Sequence, residues 1–238
     1  MFIFENDHFV VARKPGGVLT VPSHQGRDDP RPILGIQLQE QLGIQIFPVH
    51  RLDFEVSGLV LFAKSRDAHQ HANQWFEHQL VKKTYRAWTQ TQNFAHIPAH
   101  IANPRQALTL AVNQTFDWHG RIARGKRRAY QSVEGKDSIT HAQYLGPEPA
   151  QGFLCWDLEP LTGRPHQLRV DLSRHGFPVV GDNLYGATSP CQINMIALVA
   201  YRLDLTAIPQ TQRLGLPAQL FIEPRFTEVC AKPQPAAN

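Results

Sequence analysis

Asp53 is placed in the sequence as a nucleophile or general base would be. It ends the run His50-Arg51-Leu52-Asp53 and is followed by Ser57-Gly58 and the apolar stretch Leu59–Ala63. A carboxylate at the mouth of a rigid, buried strand can attack an electrophilic carbon or accept a proton. The alternative is a surface aspartate that stabilises a turn. The tripeptide Arg-Leu-Asp recurs at 202–204 without a following Ser-Gly, so the tripeptide alone is weak evidence.

Two further segments carry polar groups that could act together with Asp53. Tyr85 lies between basic residues in a predicted strand over 83–88, and Arg169 lies in a predicted helix over 165–175. Each has an ordinary alternative, which is a half-buried packing tyrosine for the first and an amphipathic helix for the second. Arg169 and Ser173 are four residues apart in the helix and share one face, which we expect to border a cleft.

These three segments together give the sequence a specific resemblance. It resembles the RluA family of pseudouridine synthases from about residue 2 to about residue 206, with a poor match in the middle. The matching segments are His50–Asp53 with Ser57–Lys64, the strand Lys83–Ala87, and Gly163–Val170 continuing to Pro178–Gly186. A weaker match covers Val10–Gly17. Val56, Pro165 and Asp171 depart from the family's usual residues but leave the aspartate, the tyrosine and the arginine in place.

The resemblance implies that the protein converts uridine within an RNA chain to pseudouridine. The base leaves C1′ of the ribose through N1 and reattaches through C5, so atoms are conserved and no cofactor or metal is expected. Asp53 is then the catalytic carboxylate, acting by addition to the base or by attack at the ribose. Arg169 is its expected counter-ion. Tyr85 is expected to stack on the uracil near C5, where a proton leaves.

The remaining predicted site residues contact RNA, because a stacked uridine must be flipped out before it can react. Arg51 is expected to fill the vacated stack, and His50 to orient this segment or contact phosphate. Further basic contacts are predicted at Arg164 and His166, and in the cluster 121–128 at Arg124, Arg127 and Arg128. A solvated charged loop is the alternative for that cluster.

Two other functions are consistent with parts of this pattern. A nucleoside or glycosidic-bond hydrolase normally uses two opposed carboxylates, and Asp171 or Asp182 would have to be the second. Neither has a supporting motif. A catalytically inactive RNA-binding or chaperone protein is the other alternative, and the presence of Asp53, Tyr85 and Arg169 argues against it.

Composition sets the broad class of the protein. The 238 residues are 42% hydrophobic and carry a net charge of +4, which is typical of a globular protein and permits an RNA partner. No apolar run approaches the ~20 residues of a membrane span, and the N-terminus lacks signal-peptide features. We therefore expect a cytoplasmic protein that makes no membrane contact. Its cysteines show neither metal nor disulfide spacing, and His69, His71 and His78 are interpreted as surface residues, so no metal site is predicted.

The elements that position these residues are predicted to form an α+β fold. Hairpin-like strand pairs recur, at 2–4 with 9–12 and at 139–145 with 153–159. This favours a mixed, mostly antiparallel sheet with a central catalytic cleft flanked by helices and loops, the pseudouridine synthase fold that the resemblance implies. Helices are predicted from residue 33 to a stop at Gly43 and after a cap at Ser65. Residues 90–135 are expected to be irregular.

The domain organisation and the partner follow from the same resemblance. We expect one catalytic domain over 1–225, without an added N-terminal RNA-binding domain, and a flexible tail over 226–238. The protein is expected to be a monomer that acts on a structured stem-loop of transfer RNA or ribosomal RNA.

Overall fold

A computed structural model describes residues 2–23, 26–101, 105–126, 128–149 and 152–230. The chain forms two compact units. The first unit holds the chain up to Lys83 together with Ala200–Glu223, and the second holds Thr84–Val199 together with the chain from Pro224. Both units combine antiparallel strand pairs with few helices, which confirms the predicted α+β class.

The elements are numbered in chain order. The strands are β1 (Phe2–Glu5), β2 (Phe9–Lys14), β3 (Phe47–Pro48), β4 (Ser57–Ala63), β5 (Lys82–Thr89), β6 (Thr115–Arg124), β7 (Ala129–Gln131), β8 (Lys136–Pro147), β9 (Leu154–Pro160), β10 (Leu198–Asp204) and β11 (Gln219–Phe221). The α-helices are α1 (Leu34–Leu42), α2 (Arg66–Glu77), α3 (Gln167–Arg174) and α4 (Phe226–Val229). Short 3₁₀ turns cover Gly26–Asp28, Asn183–Tyr185 and Gln210–Gln212.

The first unit is organised around β4, whose seven residues are all buried. The strand order here is β1-β2-β4-β10, with β3 also paired to β4 and β11 to β10. Gly58 allows this arrangement, because a Cβ at that position would overlap the backbone of Ala200 in the neighbouring strand and its φ is +127°. The glycine of the Ser57-Gly58 pair therefore has a packing reason.

In the first unit, helix α1 ends and helix α2 begins as the sequence predicts. Gly43 ends α1 in the left-handed conformation, with φ 67°, and donates its N–H to Gln39. Ser65 caps α2, because its hydroxyl accepts a hydrogen bond from the Ala68 N–H at 3.1 Å. Ala68, Ala72 and Trp75 form the buried face of α2.

The second unit is a largely antiparallel sheet in the order β5-β9-β8-β6-β7. Its core is aromatic: the Trp156 ring lies 5.8 Å from that of Trp118 and 5.1 Å from that of Phe177. Helix α3 covers this face of the sheet. Thr140 of β8 donates a hydrogen bond to Asp171 of α3 at 2.7 Å, and Trp118 of β6 stacks on His175.

Three expectations about the second unit require correction. The segment 90–135 contains the ten-residue strand β6, whose alternation of Phe116, Trp118 and Ile122 was a strand signal that the basic cluster obscured. Helix α3 begins at Gln167, because His166 before it is left-handed with φ 50° and ends any regular helix there.

The C-terminal segment forms a short helix, and the cysteines supply the third correction. Phe226 and Val229 of α4 are buried, and residues 231–238 lie outside the described residues. Cys191 and Cys230 form a disulfide with a Cα–Cα separation of 4.8 Å, although their spacing indicated none. Among the described residues, no helix is long and apolar enough to cross a bilayer.

Candidate active site

Asp53 lies in the loop between β3 and β4 of the first unit, directly before the buried strand, as the sequence predicts. Its side chain is partly exposed. The loop closes as a turn, because the Val56 N–H donates to the Asp53 carbonyl at 3.2 Å. The carboxylate is thus presented from a short connection whose far end is anchored in the core.

The residue before Asp53 is fixed by a side chain that the sequence did not single out. The Thr20 hydroxyl accepts a hydrogen bond from the Leu52 N–H at 3.1 Å and lies 3.2 Å from the Leu52 carbonyl oxygen, to which it donates. Thr20 and Leu52 are both buried. The only sequence signal was the position of Thr20 shortly after the weakly matching segment Val10–Gly17.

The residue after Asp53 is fixed by Gly17 and Lys14. The Phe54 carbonyl accepts from the Gly17 N–H at 2.9 Å and from Lys14 Nζ at 3.2 Å. Lys14 Nζ also donates to the carbonyls of Pro15 and Val18, at 3.0 and 2.7 Å. Burial lowers the pKa of Lys14 to about 8, and the charges of Asp53 and Glu55 oppose that shift. A buried ammonium ion therefore lies in the electrostatic field of Asp53.

His50 is a structural anchor of the same loop. Its Nε2 accepts a hydrogen bond from the Leu61 N–H at 3.1 Å, and its ring stacks on Phe76 with centroids 5.0 Å apart. Burial and the nearby charge of Lys83 lower the pKa of His50 to about 3. A neutral imidazole that accepts from the backbone favours the orienting role over a phosphate contact. Arg51, next along the chain, is exposed.

Arg169 in α3 belongs to a buried ion pair of the second unit. Its Nε and Nη2 donate to the two carboxylate oxygens of Asp182 at 2.6 and 2.8 Å. The guanidinium lies over the Tyr185 ring, 5.1 Å from its centroid. Ser173, expected to share a cleft-facing surface with Arg169, is instead buried and donates to the Tyr185 carbonyl at 2.7 Å.

Tyr85 lies on the face of the second unit's sheet that α3 covers. It is opposite Leu158 of β9, and Leu158 is opposite Ala142 of β8. Ala142 points to the same side as Thr140, since side chains two residues apart in a strand share a face, and Thr140 contacts α3. The structure thus places the predicted tyrosine and the helix of the predicted arginine on one side of this sheet.

Of the other residues predicted to contact RNA, some are hydrogen-bonded within the protein and others are exposed. Arg164 Nε donates to the Asp137 carbonyl at 2.7 Å, and His166 Nδ1 lies 2.9 Å from the Tyr185 hydroxyl. Arg124 and Arg128 are exposed at the β6–β7 turn, which closes through a 2.8 Å bond from Gly125 N–H to the Arg128 carbonyl. Arg127 lies outside the described residues.

The other acidic candidates are engaged within the fold. Asp171 is buried, accepts from the Thr140 hydroxyl, and has its pKa raised by burial to about 6. Asp182 pairs with Arg169. In the second Arg-Leu-Asp, Asp204 accepts from Arg202 at 3.0 Å and from the Thr206 hydroxyl at 2.6 Å. Across the described residues, no group of three or more histidine, cysteine or acidic side chains could hold a metal ion.

Comparison with known proteins places this site in a family. The family described as RNA pseudouridylate synthase matches residues 8–174, a range that contains Asp53, Tyr85 and Arg169. The chain is 30% identical over 205 residues to the uncharacterized RNA pseudouridine synthase YhcT of Bacillus subtilis, covering 85% of this chain and 62% of that protein. It is 32% identical over 190 residues to the dual-specificity RNA pseudouridine synthase RluA of Vibrio cholerae, covering 77% of this chain and 67% of that protein.

The fold agrees with the sequence comparison. The solved structure of human RNA pseudouridylate synthase domain containing 1 superposes with a TM-score of 0.62 at 25% identity, covering 88% of this chain and 79% of the human chain. The predicted pseudouridine synthase fold is therefore confirmed. The chain spans less than two thirds of the length of YhcT.

Proposed function

Since this chain belongs to the RNA pseudouridylate synthase family, we propose that it is an isomerase that converts uridine in structured RNA to pseudouridine, with Asp53 as its catalytic carboxylate. The observation that carries the proposal is that hydrogen bonds hold the backbone of the Asp53 loop on both sides of Asp53. Thr20 holds the residue before Asp53, and Lys14 with Gly17 hold the carbonyl of the residue after it. Such fixing of a reactive group is what a preorganised site requires.

The reaction exchanges one bond at C1′ for another. The C1′–N1 bond breaks, the base turns, a C1′–C5 bond forms, and the proton on C5 leaves while N1 gains one. Asp53 either adds to the base or attacks the ribose, and both routes need it ionised. Lys14 supplies a positive charge near this carboxylate, since the charge of Asp53 acts on the Lys14 ammonium group.

Arg169 is proposed to support Asp53 as its counter-ion. Asp182 engages Nε and Nη2 of the guanidinium, so the charge of Arg169 is held in place within the second unit. A bidentate pair fixes the plane of the guanidinium. Tyr85 is proposed to stack on the flipped uracil and lie near C5, where the departing proton needs an acceptor.

RNA binding is proposed to use the exposed basic side chains. Arg51, exposed beside the Asp53 loop, is proposed to occupy the stack that the uridine leaves. Arg124 and Arg128, with Arg127, are proposed to contact the phosphate backbone. Arg164, His166 and His50 are proposed to contribute mainly by fixing loops that border the RNA, because each is already held by protein groups.

The finer description of the substrate is also proposed. We propose a stem-loop of transfer RNA or ribosomal RNA, bound by a monomer in the cytoplasm.

The Cys191–Cys230 disulfide argues against the cytoplasmic location, because cytosolic reductants keep most thiols reduced. Counting free thiols in protein taken from its native cells and unfolded without reductant tests it. Three free thiols would support the cytoplasm and one would contradict it.

The hydrolase alternative is disfavoured by the two acidic residues that it needs. Asp171 is buried on the face of α3 that contacts Thr140, and Asp182 is paired with Arg169. Neither is placed as the water-activating partner of a second carboxylate.

Tritium release tests the proposed reaction. RNA transcripts carrying [5-³H]uridine lose tritium to water when C5 exchanges its hydrogen for C1′. We expect the purified protein to release tritium and to form pseudouridine in equal amount, and the Asp53→Asn variant to do neither while still binding the RNA. Free uracil without pseudouridine would support the hydrolase, and binding without turnover by the unaltered protein would support the inactive RNA-binding protein.

A further inference from the structure

We infer that Thr20 is a positioning residue that sets the backbone from which Asp53 acts. This inference rests on the proposed function, since it assumes that Asp53 is the catalytic carboxylate. It concerns a side chain outside the sequence segments that marked the site.

The hydroxyl of Thr20 acts on both backbone groups of one residue. It accepts from the Leu52 N–H at 3.1 Å and donates to the Leu52 carbonyl oxygen at 3.2 Å. Because these groups belong to the two peptide planes on either side of the Leu52 Cα, one hydroxyl constrains both planes. The second of these planes leads directly to the Cα of Asp53.

Thr20 is itself held by the beginning of α1. Its carbonyl accepts from the Gly35 N–H at 3.2 Å, and the Leu19 carbonyl accepts from the Leu34 N–H at 2.8 Å. Leu19 N–H in turn donates to the Pro32 carbonyl at 2.9 Å. The backbone of Thr20 is therefore hydrogen-bonded to helix α1. Through the Thr20 hydroxyl, the Asp53 loop is fixed relative to that helix.

The hydrogen bonds between Thr20 and Leu52 can position the loop because both residues are buried. Thr20 is 2% exposed and Leu52 is 6% exposed, so water has little access to replace the hydroxyl. Lys14 and Gly17 fix the Phe54 carbonyl on the far side of Asp53. Without the Thr20 hydroxyl the loop keeps this second anchor, and we expect it to stay folded while the carboxylate loses its fixed direction.

Thr20→Val tests the inference, because it replaces the hydroxyl with a methyl of similar size. We expect kcat for pseudouridine formation to fall roughly 10- to 100-fold, the loss that a misplacement of about 1 Å produces, with the Kd for RNA unchanged. Thr20→Ser keeps the hydroxyl and is expected to restore kcat to within a few-fold of the unaltered protein. If Thr20→Val fails to fold, Thr20→Ala measured against Thr20→Ser gives the same comparison.

Thr89→Val is the matched control. Thr89 is also fully buried, and its hydroxyl accepts from the Trp156 indole N–H at 2.9 Å, so the variant loses an equally buried hydroxyl in the other unit. We expect it to lower the melting temperature and to leave kcat unchanged. A kcat loss in Thr89→Val equal to that in Thr20→Val would overturn the inference, since general destabilisation would then explain both.

Asp53→Asn separates the two levels of the proposal. If the unaltered protein is active, Asp53→Asn is inactive and Thr20→Val keeps full kcat, the inference about Thr20 is wrong and the proposed function stands. If the unaltered protein forms no pseudouridine in any RNA offered, or if Asp53→Asn is fully active, the proposed function itself is wrong.

Discussion

The Asp182 carboxylate accepts two hydrogen bonds from Arg169, one from Nε at 2.6 Å and one from Nη2 at 2.8 Å. Both side chains are almost completely buried. A buried guanidinium is costly unless it is paired and hydrogen-bonded. Asp182 therefore stabilises the buried positive charge of Arg169.

Breaking this pair should be strongly destabilising. Asp182→Asn leaves the charge of Arg169 buried without its counter-ion, so we expect the free energy of unfolding to fall by about 3–5 kcal/mol in urea titrations. Arg202→Gln breaks a partly exposed pair with Asp204 and is expected to cost no more than about 1 kcal/mol. Equal losses in the two variants would mean that burial of the Arg169–Asp182 pair has no energetic role.

His50 should make the protein sensitive to acid. Its pKa is about 3 in the folded protein and about 6.5 when unfolded. As the pH falls, the unfolded chain therefore protonates His50 before the folded protein does. The stabilising contribution is complete above pH 6.5 and is lost as the pH falls from 6.5 towards 3. Urea unfolding between pH 7 and pH 4 should show a smaller loss for His50→Gln, by about 1–3 kcal/mol. His8→Gln, an exposed control, should keep the original pH dependence.

The charge of Asp53 should be measurable at Lys14. Asp53 and Glu55 both raise the pKa of Lys14 against the effect of burial, so Asp53→Asn should lower it below its value of about 8. Glu55→Gln should lower it by a smaller amount. The measurement is an NMR pH titration of protein with ¹³Cε-labelled lysine, assigned with Lys14→Arg. An unchanged Lys14 titration in Asp53→Asn would show that the two charges do not interact.

The basic turn between β6 and β7 should contribute to the salt dependence of RNA binding. Arg124→Gln with Arg128→Gln removes two exposed charges. The slope of log K against log salt should become shallower by about 0.7–0.9 for each phosphate that the turn no longer neutralises. Arg66→Gln on α2 removes a charge elsewhere and should leave the slope unchanged. If the double variant keeps the original slope, the turn is a solvated charged loop.

Much of the fold near Asp53 was predictable because local chemistry determines it. The Ser65 cap, the Gly43 stop and the apolar run of β4 each leave a short-range signal in the sequence. Strand β6 was missed because arginines and a glycine interrupt its alternating apolar residues. The left-handed conformation of His166 has no local signal that would have moved the start of α3 to Gln167.

The candidate site also has a part that the sequence predicted and a part that it did not. The segments around Asp53, Tyr85 and Arg169 were recognisable because their residue types and order are specific. Thr20, Lys14 and Asp182 were not predicted as partners, because their hydrogen bonds join residues that are 32, 40 and 13 positions apart. Only the folded chain reveals which distant hydroxyl, ammonium ion or carboxylate reaches a given loop or helix.

Complementation tests the central claim most directly. Pseudouridines are mapped across cellular RNA in cells that lack the gene, and then in cells that regain it in the unaltered or the Asp53→Asn form. We predict that at least one pseudouridine in transfer or ribosomal RNA disappears with the gene and returns only with the unaltered form. A complete pseudouridine map in cells without the gene, or its restoration by Asp53→Asn, would contradict the claim that this protein is an Asp53-dependent RNA pseudouridine synthase.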